Sequence, residues 1–306
     1  MYIDFHIHPL KNFPFERLLR EIEEAEMDYC VLLPMDIDAK DLKLPHVRKK
    51  LKERIELLIS FYPNLYISME VLEREAEDKF PHFRIENEYV SELARRDRRL
   101  IPAASIDIAK GRRYLKRKLR EIEKLGMKIV KVYPTLQFFN PLERTFFEFL
   151  RECEKRRYVV VYHTGCDPSY FETIILSEDA NPAHLSQALE NYNPRIPILL
   201  AHSGAYSLRC PGIWFEEAIR VARKFDNVYL ESSAVNWIFT LEKYVRKLRE
   251  VGMERVIFGS DYPVVLNSSI REERETVERS SLLSPKEKEM VLGENAAELL
   301  KSYKVI

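Results

Sequence analysis

The sequence predicts an α/β protein that folds as a single-domain (β/α)8 TIM barrel, and three observations support this fold class. Eight short apolar segments of strand character recur along the chain, with charged amphipathic segments of helical spacing between them. The length of 306 residues suits one barrel. No G-x-G-x-x-G phosphate loop is present, which disfavours the alternative architecture, a doubly wound sheet.

Each predicted strand is rich in β-branched or aromatic residues and is followed by turn-forming residues. The eight strands are predicted over residues 2–8, 29–34, 100–107, 128–134, 158–163, 196–202, 227–233 and 255–261. The clearest helices between them are predicted over residues 15–26, 112–126, 142–156, 214–225 and 240–252. Strand followed by helix, repeated in this way, is the pattern of a closed parallel barrel.

The regular spacing breaks once, between the second and third strands. Residues 36–98 are too long for one crossover, and they contain helical patterns at 44–61 and 87–97 and an expected extra strand at 65–71. We predict an insertion within 36–98, either as a cover over the barrel mouth or as a helical pad with no role at the site. No composition shift or low-complexity linker divides residues 1–306, so one domain is expected.

Composition narrows the classes of partner. Lys and Arg number 49 and so do Asp and Glu, which leaves no net field to attract nucleic acid or an anionic membrane. No segment approaches the roughly 18 apolar residues of a membrane helix, and the N-terminus lacks a secretory pattern. Cys30, Cys153, Cys166 and Cys210 form no C-x-x-C pair, which favours reduced thiols. We therefore expect a cytoplasmic protein with a small-molecule substrate and neither a nucleic-acid nor a membrane partner.

Side chains that bind metal ions stand at the carboxyl ends of predicted strands, where TIM-barrel enzymes place their catalytic groups. His6 and His8 end the first strand, His163 the fifth, His202 the sixth and Asp261 the eighth. Because side chains alternate along a strand, the H-x-H pair is expected to face one side and share an ion. Any one of these residues has a structural explanation, but their shared position predicts a divalent metal site, with zinc the expected ion.

These residues resemble the amidohydrolase superfamily, and more narrowly its amidohydrolase-related branch of metal-dependent hydrolases and nonoxidative decarboxylases. The matching segments are DFHIHP (4–9), VKVYP (130–134), VVVYHTG (159–165), ILLAHSG (198–204), NVYLESS (227–233), RVIFGSDYP (255–263) and GENAAELL (293–300). They occur in the order typical of the family and span almost the whole chain. The H-x-H and FGSDYP segments are the most distinctive of the set.

The resemblance implies a role for each residue of the site. His6 and His8 would be metal ligands, His163 the third nitrogen ligand, and Asp261 the carboxylate beside the reacting water. His202 would be a second-site ligand or, with one metal, an electrophile that polarises the substrate. One ion is expected rather than two.

Lys131 has two interpretations by the same resemblance. In binuclear members of the superfamily a lysine at the end of the fourth strand is carboxylated and bridges two metals, whereas many members of this branch have no bridge. We favour a lysine that forms a salt bridge or contacts substrate. Alternation places Tyr133 on the same face as Lys131.

Weaker candidates for substrate contact follow or end the fourth, sixth and seventh strands, whose loops should face the pocket. They are Lys131, Tyr133, Gln137, Ser203, Tyr206, Glu231 and Trp237. Apart from Lys131, whose alternatives are given above, packing or capping explains each of them at least as well.

Three functions remain open from the sequence. The first is a metal-dependent hydrolase in which activated water attacks an amide, ester or lactone with Asp261 as general base. The second is a nonoxidative decarboxylase of an aromatic or unsaturated carboxylic acid. The third, of another class, is an inactive barrel that acts as a binding protein, which the complete ligand set disfavours. The family resemblance also leaves a homodimer open.

Overall fold

The computed structural model describes residues 1–166, 173–265 and 267–306. Every predicted strand segment contains observed strand. The strands are β1 (Ile3–Ile7), β2 (Tyr29–Leu32), β3 (Leu100–Pro102), β4 (Ala104–Ser105), β5 (Ile129–Val132), β6 (Val159–His163), β7 (Ile198–Ala201), β8 (Val228–Glu231) and β9 (Val256–Ile257). β3 and β4 are two halves of the third predicted strand, separated at Ala103.

Helices lie between the strands in chain order, and several begin at a side-chain cap. The α-helices are α1 (Phe15–Glu24), α2 (Pro45–Phe61), α3 (Met69–Phe83), α4 (Asn87–Ala94), α5 (Gly111–Lys124), α6 (Arg144–Arg156), α7 (Ile174–Ser177), α8 (Pro182–Asn191), α9 (Phe215–Lys224), α10 (Glu242–Val251), α11 (Ile270–Glu278), α12 (Pro285–Glu289) and α13 (Asn295–Ser302). Ser269 and Glu272 form a capping box at the start of α11, which satisfies backbone N–H groups that have no partner inside the helix.

All paired strands are parallel, and they form the ladders β1-β2-β3 and β4-β5-β6-β7-β8-β9. The ladders adjoin at Ala103, whose N–H donates to Leu32 O at 3.0 Å. At the opposite edges, Phe5 N–H donates to Phe258 O at 3.1 Å. Parallel strands in sequential order with helices between them confirm the predicted (β/α)8 TIM barrel.

Alternate strand residues fill the barrel interior, as the period of a β-strand requires. Residues from β1 to β9 pack into one buried apolar cluster with α13, and they include Phe5, Val31, Ile129, Val161 and Leu199. The outward-facing apolar residues of the same strands pack with the surrounding helices in a second, larger cluster. The barrel is therefore a packed core, and the polar side chains of interest gather at its carboxyl end.

The interval between β2 and β3 contains α2, α3 and α4, so the predicted helical content of residues 36–98 is confirmed. The extra strand expected at 65–71 is wrong. The hydroxyl of Ser68 accepts from Val71 N–H and starts α3 at Met69, because an N-cap followed by apolar residues at helical spacing outweighs the local strand propensity. The assignment of residues 1–306 to one domain stays a prediction.

A buried ionic cluster attaches α2 to two loops at the carboxyl end of the barrel. The carboxylate of Asp179 accepts from Lys50 at 2.8 Å, from Arg54 at 2.7 and 2.8 Å, and from Asn140 at 2.7 Å. Lys50 also donates to Phe138 O at 2.8 Å. These bonds hold α2 against loops at the mouth of the barrel.

None of the helices in the described part of the chain is both long enough and apolar enough to pass through a lipid bilayer.

Candidate metal centre

Three predicted ligands converge at the carboxyl end of β1 and just beyond β9. His6 Nε2 and His8 Nε2 are 3.1 Å apart, and Asp261 Oδ1 lies 3.3 Å from each of them. All three side chains are buried. The structure thus brings together His6, His8 and Asp261, which belong to segments more than 250 residues apart in the sequence.

The second nitrogen of each imidazole identifies its tautomer. His8 Nδ1 lies 2.9 Å from Leu33 O, and His6 Nδ1 lies 2.9 Å from Glu231 Oε2. A backbone carbonyl and an ionised carboxylate can only accept hydrogen bonds. Both Nδ1 atoms are therefore assigned the proton. Each Nε2 then presents a lone pair to the other and to Asp261.

This arrangement fits a cation. Two lone pairs and a carboxylate oxygen repel one another at 3.1–3.3 Å unless positive charge lies between them. Zinc bonds of about 2.0–2.1 Å at tetrahedral angles separate neighbouring ligand atoms by about 3.3 Å. The spacing of these donors therefore matches a zinc ligand set. Burial lowers the pKa of His6 well below its usual range, with Lys131 acting in the same direction, which keeps its lone pair available.

A local irregularity of β1 orients the side chains of His6 and His8 toward the metal centre. Phe5 packs in the barrel interior, so strict alternation would point His6 and His8 to the opposite face. The register with β2 shifts between Asp4 and Ile7, which inserts one residue and reverses the phase. Asp4 Oδ1 accepts the His6 N–H at 2.9 Å, and burial raises the pKa of the Asp4 carboxyl to about 7.

His163 and His202 form a pair beside this cluster. His202 Nε2 lies 3.2 Å from His163 Nδ1, and the His6 and His202 rings are 5.0 Å apart. Within the described residues, the groups of three ligand atoms that lie within 4.8 Å of one another do not include His163. Its role as a third nitrogen ligand stays a prediction. Burial lowers the pKa of His163 well below its usual value.

His202 is neutral in this environment. Burial lowers its pKa to about 3, Asp261 opposes that shift, and Lys131 adds to it. Its Nδ1 lies 2.9 Å from Ser233 O and is assigned the proton, so Nε2 carries a lone pair. In this state His202 can accept a proton or bind a cation, whereas polarising a substrate oxygen would first require its protonation.

Backbone strain accompanies the site. His202, Ser203 and Asp261 have φ values of +65°, +49° and +64°, a region that non-glycine residues rarely adopt. Each such residue costs of order 1 kcal/mol or more and persists only where the surroundings determine it. Two of these residues carry candidate catalytic side chains, so the strained backbone directs functional groups.

Lys131 and Tyr133 both reach the site from β5 and the residue that follows it. Lys131 is fully buried, and its Nζ lies 3.4 Å from His6 Nε2 and 5.1 Å from the centre of the Tyr133 ring. The Tyr133 ring lines the cavity, and its hydroxyl donates to Pro34 O at 2.9 Å. The predicted shared face of these two residues is thus present in the structure.

The other candidates for substrate contact divide into two groups. The Tyr206 ring lines the cavity, 5.0 Å from the His202 ring. Gln137 is buried, with its amide bonded to Asp36 O and to Tyr133 N–H. Ser203 donates to Glu231 O at 2.9 Å. The side chains of Gln137 and Ser203 therefore support the backbone around the site, and neither is among the cavity-lining residues of the described chain.

Glu231 and Trp237 also lie elsewhere than expected. The Glu231 carboxylate is behind His6, on the side away from the cavity, and burial raises its pKa. The Trp237 ring packs against Tyr244, 5.0 Å away. Neither residue lines the cavity in the described part of the chain.

A cavity of about 90 Å³ opens on the cluster. His8, His163, His202 and Asp261 form its polar floor, and its other walls are largely apolar. Its lining residues are His8, Met35, Ile37, Glu75, Lys79, Phe80, Phe83, Tyr133, Leu136, His163, His202, Tyr206, Asp261 and Val264. A small, mostly apolar space above a few convergent polar groups is typical of a small-molecule site.

One wall of this cavity is made of residues that the sequence analysis did not name. Glu75, Lys79, Phe80 and Phe83 all belong to α3, so this helix lies over the barrel mouth, the first of the two alternatives for residues 36–98. Lys79 pairs with Glu75 along the helix. The spacing of residues 75, 79, 80 and 83 is that of one helix face, but the pattern alone does not identify what that face packs against.

Comparison with known proteins agrees with this geometry. The sequence model of the amidohydrolase family matches residues 3–301. The chain therefore belongs to the amidohydrolase family, and the predictions of this family and of an enzyme are confirmed. None of the curated proteins compared with the chain is similar enough to count as a match.

Solved structures share the fold at low sequence identity. A TIM-barrel protein from Bordetella bronchiseptica is 17% identical, with 99% of each chain covered and a TM-score of 0.71. A 2,6-dihydroxybenzoate decarboxylase from Rhizobium is 14% identical, with 98% of each chain covered and a TM-score of 0.62. A candidate 2-pyrone-4,6-dicarboxylic acid hydrolase from Acinetobacter baumannii is 13% identical, covering 98% of this chain and 99% of its own, with a TM-score of 0.61. At these identities the likeness shows the fold alone.

Proposed function

We propose that this protein is a metal-dependent hydrolase that cleaves a small-molecule amide, ester or lactone. The observation that carries the proposal is the triangle of His6 Nε2, His8 Nε2 and Asp261 Oδ1, of which His8 and Asp261 line the floor of the cavity. His163 would complete the ligand set. Zinc is the expected ion because imidazole nitrogens and one carboxylate oxygen are among its preferred ligands, and one ion is expected rather than two.

When bound, the metal supplies Lewis-acid chemistry that acidifies water and polarises a carbonyl. Asp261 lies at the cavity floor, where its carboxylate can accept a proton from attacking water and return it to the leaving group. His202 stands beside it with a lone pair available, as a second proton acceptor or a further ligand. The rings of Tyr133 and Tyr206, which line the cavity, would hold and orient the substrate, and α3 would exclude bulk water from it. The fully buried Lys131 would add positive charge beneath the substrate.

A decarboxylase is the second candidate function. Lys131 Nζ, fully buried and 3.4 Å from His6 Nε2, offers a cation that a substrate carboxylate could approach. The Rhizobium protein with this fold carries the name of a decarboxylase. A barrel without catalysis is disfavoured, because every predicted ligand is present and buried.

Elemental analysis of the purified protein, followed by a substrate screen, tests the proposal. We expect close to one zinc per chain and turnover within a panel of lactones, amides and esters. Turnover of aromatic carboxylates with release of carbon dioxide would favour the decarboxylase instead. A protein that binds no divalent metal after reconstitution would contradict both functions, and two ions per chain would restore Lys131 as a bridging ligand.

Partners and cellular location form part of the same proposal. We propose a cytoplasmic enzyme that acts on a small molecule, with no nucleic-acid or membrane partner, and a homodimer as an open alternative. The four free cysteines, of which Cys30, Cys153 and Cys166 are buried, support a reducing environment.

A further inference from the structure

Two histidines of the site share one hydroxyl group on the side away from the cavity. Ser233 Oγ lies 2.8 Å from His6 Nδ1, 3.0 Å from His202 Nδ1 and 2.8 Å from Glu231 Oε2. All four side chains are buried. Because bulk water does not reach these atoms, the available protons must be divided among the groups themselves.

Only one division of the protons satisfies every contact when Glu231 is ionised. Its Oε1 accepts Ser233 N–H at 2.7 Å, and its Oε2 accepts the Ser233 hydroxyl proton. With that proton committed, His6 and His202 cannot accept at Nδ1, and both must donate there. His6 then donates to Glu231, and His202 donates to Ser233 O at 2.9 Å.

We infer that Glu231 and Ser233 are positioning residues that set the tautomers of His6 and His202 together, so that the Nε2 lone pair of His6 faces His8 and Asp261 and that of His202 faces His163. This inference rests on the proposed metal function. In it, one hydrogen-bond junction, formed by Glu231 and Ser233, controls the imidazoles of both histidines. Glu231 contacts His6 directly and reaches His202 only through the Ser233 hydroxyl, so the two substitutions should differ in their effect.

The ligand atoms of His6, His202 and Glu231 are themselves close enough to hold an ion, within 4.8 Å of one another. The Ser233 hydroxyl, however, lies within hydrogen-bond distance of all three side chains. It occupies the position that a cation would need. These residues therefore form a hydrogen-bond junction and not a second metal site.

Gly259 leaves room for the junction. A Cβ at this position would meet Glu231 Oε1, and it would lie 2.8 Å from His6 Cβ and 3.0 Å from Ser233 Cβ. Real Cβ contacts are essentially never that close to all three neighbours at once. The glycine of the FGSDYP segment thus allows the three side chains to pack against one another in a fixed arrangement.

Replacing Glu231 by Gln tests the inference, since the shape is kept while an acceptor oxygen becomes an NH₂ donor. The new donor would turn His6 Nδ1 into an acceptor and move the imidazole proton to Nε2. We expect zinc affinity to fall by about 10–100-fold, the usual range for such partners, as measured by competition with a chromophoric chelator. Ser233→Ala should weaken zinc binding less, because each Nδ1 keeps one acceptor.

Ser232→Ala is the matched control. Within the described residues, the Ser232 hydroxyl donates to Asn236 Oδ1 at 2.7 Å and hydrogen-bonds to neither histidine. Its removal deletes the same atom from the neighbouring residue. We expect zinc affinity within twofold of wild type, so a loss confined to the Ser233 variant would locate the effect at the junction.

Nitrogen-15 NMR of the histidines in the metal-free protein provides a readout independent of activity. We expect His6 and His202 to be protonated at Nδ1 in the wild type, and His6 at Nε2 in Glu231→Gln. An unchanged His6 tautomer together with wild-type zinc affinity would overturn the inference. If Glu231→Gln does not fold, equal zinc affinities for the Ser233 and Ser232 variants would overturn it instead. If the wild type binds no zinc, the proposed metal function is wrong. The tautomers of His6 and His202 measured by NMR would still test the hydrogen-bond junction in that case.

Discussion

Replacing Asp179 by Asn should destabilise the protein strongly, although this residue lies outside the metal centre. Asp179 is 1% exposed and accepts hydrogen bonds from Lys50 and Arg54, which are 20% and 14% exposed. The Arg54 contact is bidentate, the strongest geometry for such a pair. The substitution would leave two largely buried cations facing an amide.

The expected loss follows from the cost of breaking a buried ion pair, about 3–5 kcal/mol. Unfolding entropies of about 2.1 cal/mol/K per residue, applied to a chain of this length, convert that loss into a Tm decrease of about 5–8 °C. Differential scanning calorimetry measures this shift. Hydrogen exchange should also show faster opening of α2, because Asp179 joins that helix to the loops of the barrel.

Glu53→Gln on the same helix is the matched control. The Lys49–Glu53 pair spans 3.9 Å, with side chains 78% and 63% exposed. Exposed pairs of this kind contribute about 0–1 kcal/mol, so its Tm should stay close to that of the wild type. A Tm for Asp179→Asn equal to that of Glu53→Gln would refute the reasoning.

The effect of Asp179 should also depend on pH in one direction. Burial alone would raise the pKa of Asp179, but Lys50 and Arg54 outweigh burial and lower it below its ordinary value of 3.8. A carboxyl with a lowered folded pKa stabilises the protein fully above its unfolded pKa and loses that contribution as the pH falls through the folded pKa. The stability gap between wild type and Asp179→Asn should therefore stay constant from pH 8 to 5 and shrink below about pH 4.

Four further substitutions test the centre itself. His6→Ala or His163→Ala should remove the metal and activity together, and full metal occupancy in either variant by elemental analysis would argue against that ligand. Asp261→Asn should retain much of the metal but lose turnover, because an amide oxygen can still bind but cannot accept a proton; wild-type rates would remove Asp261 from the mechanism. Gly259→Ala should cost about 1–3 kcal/mol in denaturant unfolding, since its Cβ would crowd His6 and Ser233.

The barrel could be predicted because two periodicities recur along the chain. Strand runs of four to eight residues alternate with helical patterns, and that alternation has few three-dimensional solutions. The expected strand at 65–71 failed for a local reason. Leu65 and Tyr66 are aromatic or aliphatic and favour strands, but they precede the Ser68 cap and are 41% and 80% exposed in the structure.

Parts of the site could be predicted for a topological reason. Carboxyl ends of parallel strands meet at one rim, so residues as distant as His6 and Asp261 were expected to approach each other. The sequence left open whether residues 36–98 cover the barrel mouth and could not identify the α3 residues that form the wall, because the packing partner of an amphipathic helix depends on long-range contacts. The orientation of Glu231 is a similar case: its strand position was clear, but whether it faced substrate or a histidine depended on the neighbouring strand.

Side-chain alternation explains only part of the orientation of the two histidines in the H-x-H pair. Alternation correctly places His6 and His8 on one face, but it does not identify that face. With Phe5 already inside the barrel, an uninterrupted strand would have turned both imidazoles toward the helices. The register shift after Asp4, and the Asp4 carboxylate that accepts the His6 N–H, turn them toward the cavity.

Irregular backbone of this kind occurs at three separate parts of the centre. β1 has its register shift, and His202 and Asp261 both have positive φ angles. The positive φ angles cost free energy relative to ordinary backbone, and hydrogen bonding alone does not require lone pairs to face one another at 3.1 Å. A cation between them would turn that repulsion into attraction. Lys131 Nζ, 3.4 Å from His6 Nε2, offsets that repulsion from one side only, and the strained backbone holds the donors at a spacing that fits an ion.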